Sequence, residues 1–283
     1  MTPQVHPFHH ADTGTWSYVV VDPIACAAAI IDPVLDFDAK SGRTGTTSAQ
    51  RLLDVTHGLH VHWLLETHAH ADHLSAAQWL KSQLPAAKIA IGHGIRAVQR
   101  NFAPVFDFEL ADDGRQFDHL FLDDDAFMLG TLHARVIPVP GHTRDSLAYL
   151  IGDALFTGDS LFMPDSGTAR CDFPGGDAAM LYRSIQSLFQ LPDATRVFVC
   201  HDYGPGGREP RCETTIGEQK RDNIHVHTGI NEADFVALRE TRDATLALPA
   251  LILPALQVNL RAGALPEPAG NGVRYLKIPL DRI

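Results

Sequence analysis

Cysteine is scarce: Cys26, Cys171, Cys200 and Cys212 are the full complement of 283 residues, and no two stand at C-x-x-C spacing. That scarcity points to a reduced, cytoplasmic protein. Basic charge is short as well, 23 Lys and Arg against 34 Asp and Glu, for a net charge of −11. A chain this acidic is a poor match for nucleic acid or an anionic membrane surface, although a few local arginines can still hold a small anionic substrate. No apolar run approaches the roughly 18 residues of a membrane span. The opening MTPQVHPFHHADTGTW contains no apolar h-region. Internal repeats and low-complexity stretches are missing too.

Histidine, by contrast, is plentiful at sixteen residues. Eleven scatter without a shared pattern and read as structural or solvated. The other five are His68, His70, His73, His142 and His201. Three of these fall within Glu66-Thr67-His68-Ala69-His70-Ala71-Asp72-His73, directly after the apolar run Trp63-Leu64-Leu65. In an extended segment, side chains two apart project to the same side, so His68, His70 and Asp72 are expected to converge on one point. A helix is predicted over 74–81, with Asp72 or His73 at its mouth. Taken singly, Asp72 reads equally as a helix N-cap and any one histidine as a surface residue. Taken together, four titratable groups this close repel or shift their pKa values unless a cation lies between them. Neutral imidazole with carboxylate is the ligand set of zinc or iron.

The remaining pattern reads as α/β. Strands are predicted at 15–21 and 27–31 as an antiparallel pair, at 63–65, at 88–91, and as two runs within 127–140 broken at Gly130. Helices are predicted at 48–56 (capped by Ser48, with Leu52, Leu53 and Val55 as its apolar face), 95–101, 214–223 and 231–243. Residues 36–47 read as a loop, and an acid-rich loop follows 101. The tail 246–283 is rich in proline and glycine and ends in a β-like run at 274–278. Residues 1–230 are taken as one domain, with 231–283 a C-terminal extension packed on it.

One regularity ties the chain together. The strand before His68, Val136-Ile137-Pro138-Val139 before His142, Ala154-Leu155-Phe156-Thr157 before Asp159, and Arg196-Val197-Phe198-Val199-Cys200 before His201 each end on a candidate ligand. Open α/β sheets place their chemistry outside strand C-termini, and Gly141 and Gly158 allow tight turns there.

The His68-x-His70-x-Asp72-His73 motif, with His142, Asp159 and His201 at strand ends, resembles the metallo-β-lactamase superfamily over roughly residues 15–230. That resemblance implies an αββα sandwich, two face-to-face β-sheets with outer helices. Asp159 stands where the commonest true metallo-β-lactamases carry cysteine. The stretches 158–165 (GDSLFMPD) and 167–173 (GTARCDF), with His201-Asp202-Tyr203, are similar to persulfide dioxygenases of the ethylmalonic-encephalopathy-protein type and to the bacterial β-lactamase-hydrolase-like group. Arg144-Asp145 departs from the Pro-Gly of the human-type enzymes.

The resemblance implies one Fe(II) per chain on His68, His142 and Asp159, a facial triad, with His70, Asp72, His73 and His201 orienting ligands and water around it. The implied reaction is oxidation of glutathione persulfide by O₂ to sulfite and glutathione. Arg170 is the first candidate for the substrate carboxylate, its alternative being an ion pair with Asp165 or Asp172. Tyr203 is a hydrogen-bond donor near the metal. Arg144 and Lys220 are further basic candidates, with a solvated surface role as the competing reading. Asp202 is expected to fix a histidine or the loop after its strand. The runner-up is a glyoxalase II-like hydrolase of glutathione thioesters. It would hold two zinc ions, one on His68, His70 and His142, the other on Asp72, His73 and His201, with Asp159 bridging. A third reading is a non-catalytic metal-binding protein on the same fold. Cys171 and Cys200 flank the motifs without a dedicated base and are assigned no catalysis. A homodimer is a possible assembly.

Overall fold

The computed structural model describes residues 2–282. Fifteen strands form in chain order: β1 (Gln4–His10), β2 (Thr15–Asp22), β3 (Ala27–Ile31), β4 (Val34–Asp38), β5 (Arg43–Gly45), β6 (His60–Leu65), β7 (Leu74–Ser75), β8 (Lys88–Gly92), β9 (His119–Phe121), β10 (Ala126–Leu129), β11 (Leu132–Pro138), β12 (Leu147–Ile151), β13 (Ala154–Phe156), β14 (Arg196–Phe198) and β15 (Glu213–Thr215). The α-helices are α1 (Thr47–Val55), α2 (Ala77–Gln83), α3 (Ile95–Phe106), α4 (Ala178–Leu188), α5 (Ile216–Asp222), α6 (Glu232–Asp243) and α7 (Ile252–Asn259). None is long and apolar enough to cross a membrane, among the described residues.

Two six-stranded sheets run in the orders β1-β2-β3-β6-β8-β9 and β10-β11-β12-β13-β14-β15. Their central strands, β2, β3, β12 and β13, are apolar on both faces because both faces are covered, while the edge strand β1 is largely polar and partly exposed. Tyr18, Val20, Ala29, Ile31 and Leu65 of the first sheet meet Ala134, Val136, Tyr149, Phe156 and Phe198 of the second. The alternate residues Val19, Val21, Ile30 and Leu64 face outward onto Leu52, Leu80 and Val258 of the helices. On the opposite side Val139, Leu155 and Val197 pack on Leu181 and Ile185 of α4 and Phe235 of α6. The result is the expected αββα sandwich. Each large side chain sealed in it contributes about 1.5–3 kcal/mol of transfer free energy.

Several local expectations change. The 36–47 loop contains the β4–β5 hairpin, whose turn is made by Gly42 at φ +70°. Helix α1 begins at Thr47, and Ser48 does not cap it; its hydroxyl donates to Asp36 at 2.5 Å. Leu74 and Ser75 pair with β4, so the helix predicted from 74 begins at Ala77, after a cap position that is Ala76 rather than Asp72 or His73. Helix α3 continues past 101 to Phe106. Strand β12 was unread, and 274–278 forms no strand. Helix α7 arises in the tail instead. Its Pro254 lies in the first turn, where the missing N–H would have had no intrahelical partner anyway.

Candidate metal centre

The ends of β3, β6, β11, β13 and β14 deliver Asp32, His68, His142, Asp159 and His201 to the same edge of the sandwich. Residues 66–73 are not the extended strand that the two-residue alternation assumed; they form an irregular loop. The convergence survives because tertiary contacts hold the loop. The Ala69 N–H donates to Asp145 at 2.8 Å. The Asn259 amide donates to the carbonyls of His70 and His73, each at 2.8 Å, while its oxygen accepts from the Ser75 N–H at 2.8 Å. Tyr149 donates to the Glu66 carbonyl at 2.8 Å. Gly158 permits the final approach: at φ +50°, a Cβ there would lie 2.7 Å from Thr67 Oγ1.

Two groups of donors result. In the first, His68 Nε2 and His142 Nε2 stand 3.9 and 3.6 Å from Asp159 Oδ2. In the second, His201 Nε2 is 3.2 Å from Asp72 Oδ2 and 3.4 Å from Asp159 Oδ1. His70 and His73 complete it, their rings 4.2 Å apart, and buried His70 and His73 with half-buried Asp72 offer one ligand atom each. Metal bonds of about 2.1 Å at tetrahedral or octahedral angles set donors roughly 3.0–3.4 Å apart. The observed separations are near that spacing, and most are too long for direct hydrogen bonds.

The buried side-chain atoms lacking a hydrogen-bond partner test the fit. They include His68 Nε2, His70 Nδ1, Asp72 Oδ2, His73 Nε2, Asp159 Oδ1 and His201 Nε2. Six orphaned polar atoms at one point would be costly without an ion or water. Two opposite ring atoms are engaged: His142 Nδ1 donates to the Arg170 carbonyl at 2.7 Å and His68 Nδ1 lies 3.1 Å from Thr67 Oγ1; His70 Nε2 faces Asp32 at 3.0 Å without making a hydrogen bond. Such partners fix ring orientation at metal sites. The sequence pattern assigns Asp32 no part in the site. Its signal was its place at the end of β3, beside β6 in the sheet.

The electrostatics suit a cation. Burial, with neighbouring His70, holds the His68 imidazole well below its ordinary pKa, leaving a neutral ring with a free lone pair; burial and His73 do the same to His70. Burial opposes ionisation of Asp72 and Asp159, but His201 and the other imidazoles more than offset it, so both carboxyls titrate below the usual range. At His201 burial is likewise outweighed, by Asp159 and Asp72, and the pKa rises.

The centre opens onto a cleft of about 780 Å³ that reaches Asp72, His142 and Asp159. Phe162, Phe173 and Tyr203 also line it. Tyr203 is 68% exposed, and its ring stacks near-parallel to His201 at 5.8 Å between centroids. Arg170 reaches the cleft wall, but its guanidinium is engaged by Asp172 at 2.6 Å and by the Ala247 carbonyl at 2.6 Å. What Arg170 gives the centre is its backbone carbonyl. Arg144 is exposed and lies outside the cleft lining, beside a smaller cavity next to His142. Lys220 is a correction: its amine pairs with Asp193 at 2.6 Å, away from the cleft. Asp202 fixes the loop after β14 through Arg208 and the Arg211 N–H. The cleft arginine that sequence reasoning missed is Arg242, in the last turn of α6. It is exposed, and its side chain makes no hydrogen bond or ion pair among the described residues. Cys171 and Cys200 are buried, and burial pushes the Cys171 thiol up to about 12.

The metallo-beta-lactamase superfamily model matches residues 12–201. A beta-lactamase hydrolase-like protein of Xylella fastidiosa is 53% identical over 285 residues, covering all of this chain; the chain spans 66% of that relative, less than two thirds of its length. Glyoxylase B2 of Dictyostelium discoideum is 44% identical over 98% of this chain and 97% of its own. The mitochondrial persulfide dioxygenase ETHE1 of Homo sapiens is 29% identical over 88% of this chain and 84% of its own. Among solved structures, ETHE1 from Myxococcus xanthus superposes with a TM-score of 0.73 at 30% identity, covering 92% of this chain and all of that one. Gathered donors at strand ends, an αββα sandwich and these matches have one meaning: the chain belongs to the metallo-β-lactamase superfamily.

Proposed function

We propose that the chain is a non-haem iron persulfide dioxygenase, oxidising glutathione persulfide with O₂ and water to glutathione and sulfite, with release of two protons. The carrying observation is the thiolate-free group of His68, His142 and Asp159, whose donor atoms lie within 4.8 Å of one another, with His142 and Asp159 lining the cleft. Two imidazoles and one carboxylate are the donors of an Fe(II) facial triad, and the iron supplies the redox chemistry that brings O₂ and a sulfur donor to react. Likeness to the human and Myxococcus proteins supports this reading.

The chain's own residues have distinct parts. The Arg170 carbonyl fixes the His142 tautomer and leaves Nε2 toward Asp159. Asp159 supplies negative charge. A cleft of about 780 Å³ suits a tripeptide thiol. Arg242 offers it an unpaired guanidinium, matched to carboxylate by its planar fork. Phe162 and Phe173 supply apolar wall next to the reacting atoms.

A second reading is favoured by a specific observation. The further donors of His70, Asp72, His73 and His201 would hold a second ion, as in a binuclear thioester hydrolase, and a relative is named Glyoxylase B2. An oxygen electrode distinguishes the two. Glutathione persulfide is expected to drive O₂ uptake at one O₂ per sulfite formed. Cleavage of S-lactoylglutathione without O₂ uptake would select the hydrolase.

A further inference from the structure

Next to His142 lies a second, smaller space of about 30 Å³. Ala71, His142 and Phe173 line both it and the large cleft, so these three form the partition between them. Its other walls come from Ala69, from Val98 and Phe102 of α3, and from Ile252 and Leu256 of α7. The Phe173 ring stands edge-on to His142 at 5.3 Å.

The volume admits one small molecule; a site of more than about 10–15 Å³ accommodates a water, but a water also needs two to four polar partners. Several polar groups on the inner wall are already engaged. The Ala69 N–H is given to Asp145, His142 Nδ1 to the Arg170 carbonyl, and the Thr143 hydroxyl to Ser146. His142 Nε2 faces Asp159. The remaining polar side chains, Asn101 and Arg144, are exposed and mark the solvent end. A cavity that offers space, mostly apolar walls and few open hydrogen-bonding partners favours an apolar guest over water.

We propose that this cavity is a holding and access site for dioxygen, separate from the route of the thiol substrate. The inference rests on the dioxygenase reading and adds to it a division of labour. The charged peptide enters by the wide cleft, while the gas arrives through an apolar pocket between α3 and α7. The two meet across His142.

The test fills the pocket from residues outside the metal centre, with Val98→Phe and Ile252→Phe made separately in the iron-loaded, full-length chain. Rates are measured against O₂ and against glutathione persulfide, alongside iron content and melting temperature. The expected result is a KM for O₂ raised about tenfold, with KM for persulfide and iron content unchanged. Crystals of the wild-type protein under xenon pressure should show xenon against Phe173 and His142, a result that needs no variant to fold. If both filled variants keep the wild-type KM for O₂, or if ordered water fills the cavity and xenon stays out, the pocket assignment falls while the dioxygenase reading stands. If the wild-type protein takes up no O₂ with persulfide, the dioxygenase reading falls and the oxygen assignment with it.

Discussion

The proposed ligands divide by how firmly the protein holds them: His142 and His68 each have one ring nitrogen placed against a protein oxygen and Nε2 left free, while neither ring nitrogen of His70 or His201 makes a hydrogen bond. His142 is tied by the Arg170 carbonyl, His70 stands against Asp32, and Asp159 faces imidazoles with both oxygens. The identities of these residues were legible because an H-x-H-x-D-H motif and four strand-end positions are local features. The free atoms were not legible, since they depend on Asp32, Thr67 and Arg170, residues chosen by tertiary packing. Arg170 shows the same limit: its guanidinium goes to Asp172 two residues on, and the cleft's unpaired arginine is Arg242, on a helix far along the chain. At this scale, His201→Ala tests how many ions the donors hold. A single iron on His68, His142 and Asp159 predicts that the variant retains its iron equivalent by elemental analysis. Loss of a second equivalent relative to wild type would support the binuclear arrangement.

Among the elements, the consequential surprise is α7. The sequence reading gave the proline- and glycine-rich tail no helix, yet Pro254 falls where a helix accepts proline, and apolar Ile252, Ala255, Leu256 and Val258 bury themselves. The helix ends on Asn259, whose side chain makes three hydrogen bonds to the backbone of the loop and strand carrying His70, His73 and Ser75. Asn259→Ala leaves those buried groups unsatisfied and is expected to cost about 2–4 kcal/mol. It should also weaken metal affinity, because the loop that presents three donors loses its brace. Thermal melting and competitive chelation check both; a variant with wild-type metal affinity would show that the loop is held by other means.

For the molecule as a whole, strand and helix patterning gave an α/β chain with ligands at strand ends, while the αββα layering came only from the family resemblance carried by the H-x-H-x-D-H motif; the structure bears both out. The β4–β5 hairpin escaped notice because short, partly polar strands gain their pairing from neighbours rather than from their own periodicity, whereas β12 (LAYLI) is apolar and buried and its signal was available in the sequence. A pH dependence belongs to this scale. His225 accepts the Thr168 N–H at Nδ1 with 3.0 Å separation, and burial, aided by Arg239 and Arg242, depresses its pKa to about 4. Above the ordinary histidine pKa of about 6.5, the ring is neutral in both folded and unfolded chains. Below it, the unfolded ring takes up a proton that the folded ring refuses, so this contribution is lost as pH falls from about 6.5 through about 4, on the order of 2 kcal/mol. Melting curves across that range should fall, and His225→Gln should flatten the slope; an unchanged slope would remove His225 as the cause.

The central claim is that strand-end donors from both sheets hold one redox-active ion. Elemental analysis of protein purified without oxygen, combined with anomalous diffraction at the iron edge, tests it most directly. The account predicts one iron per chain, bound by His68, His142 and Asp159. Two zinc ions per chain, with Asp159 between them, would contradict it.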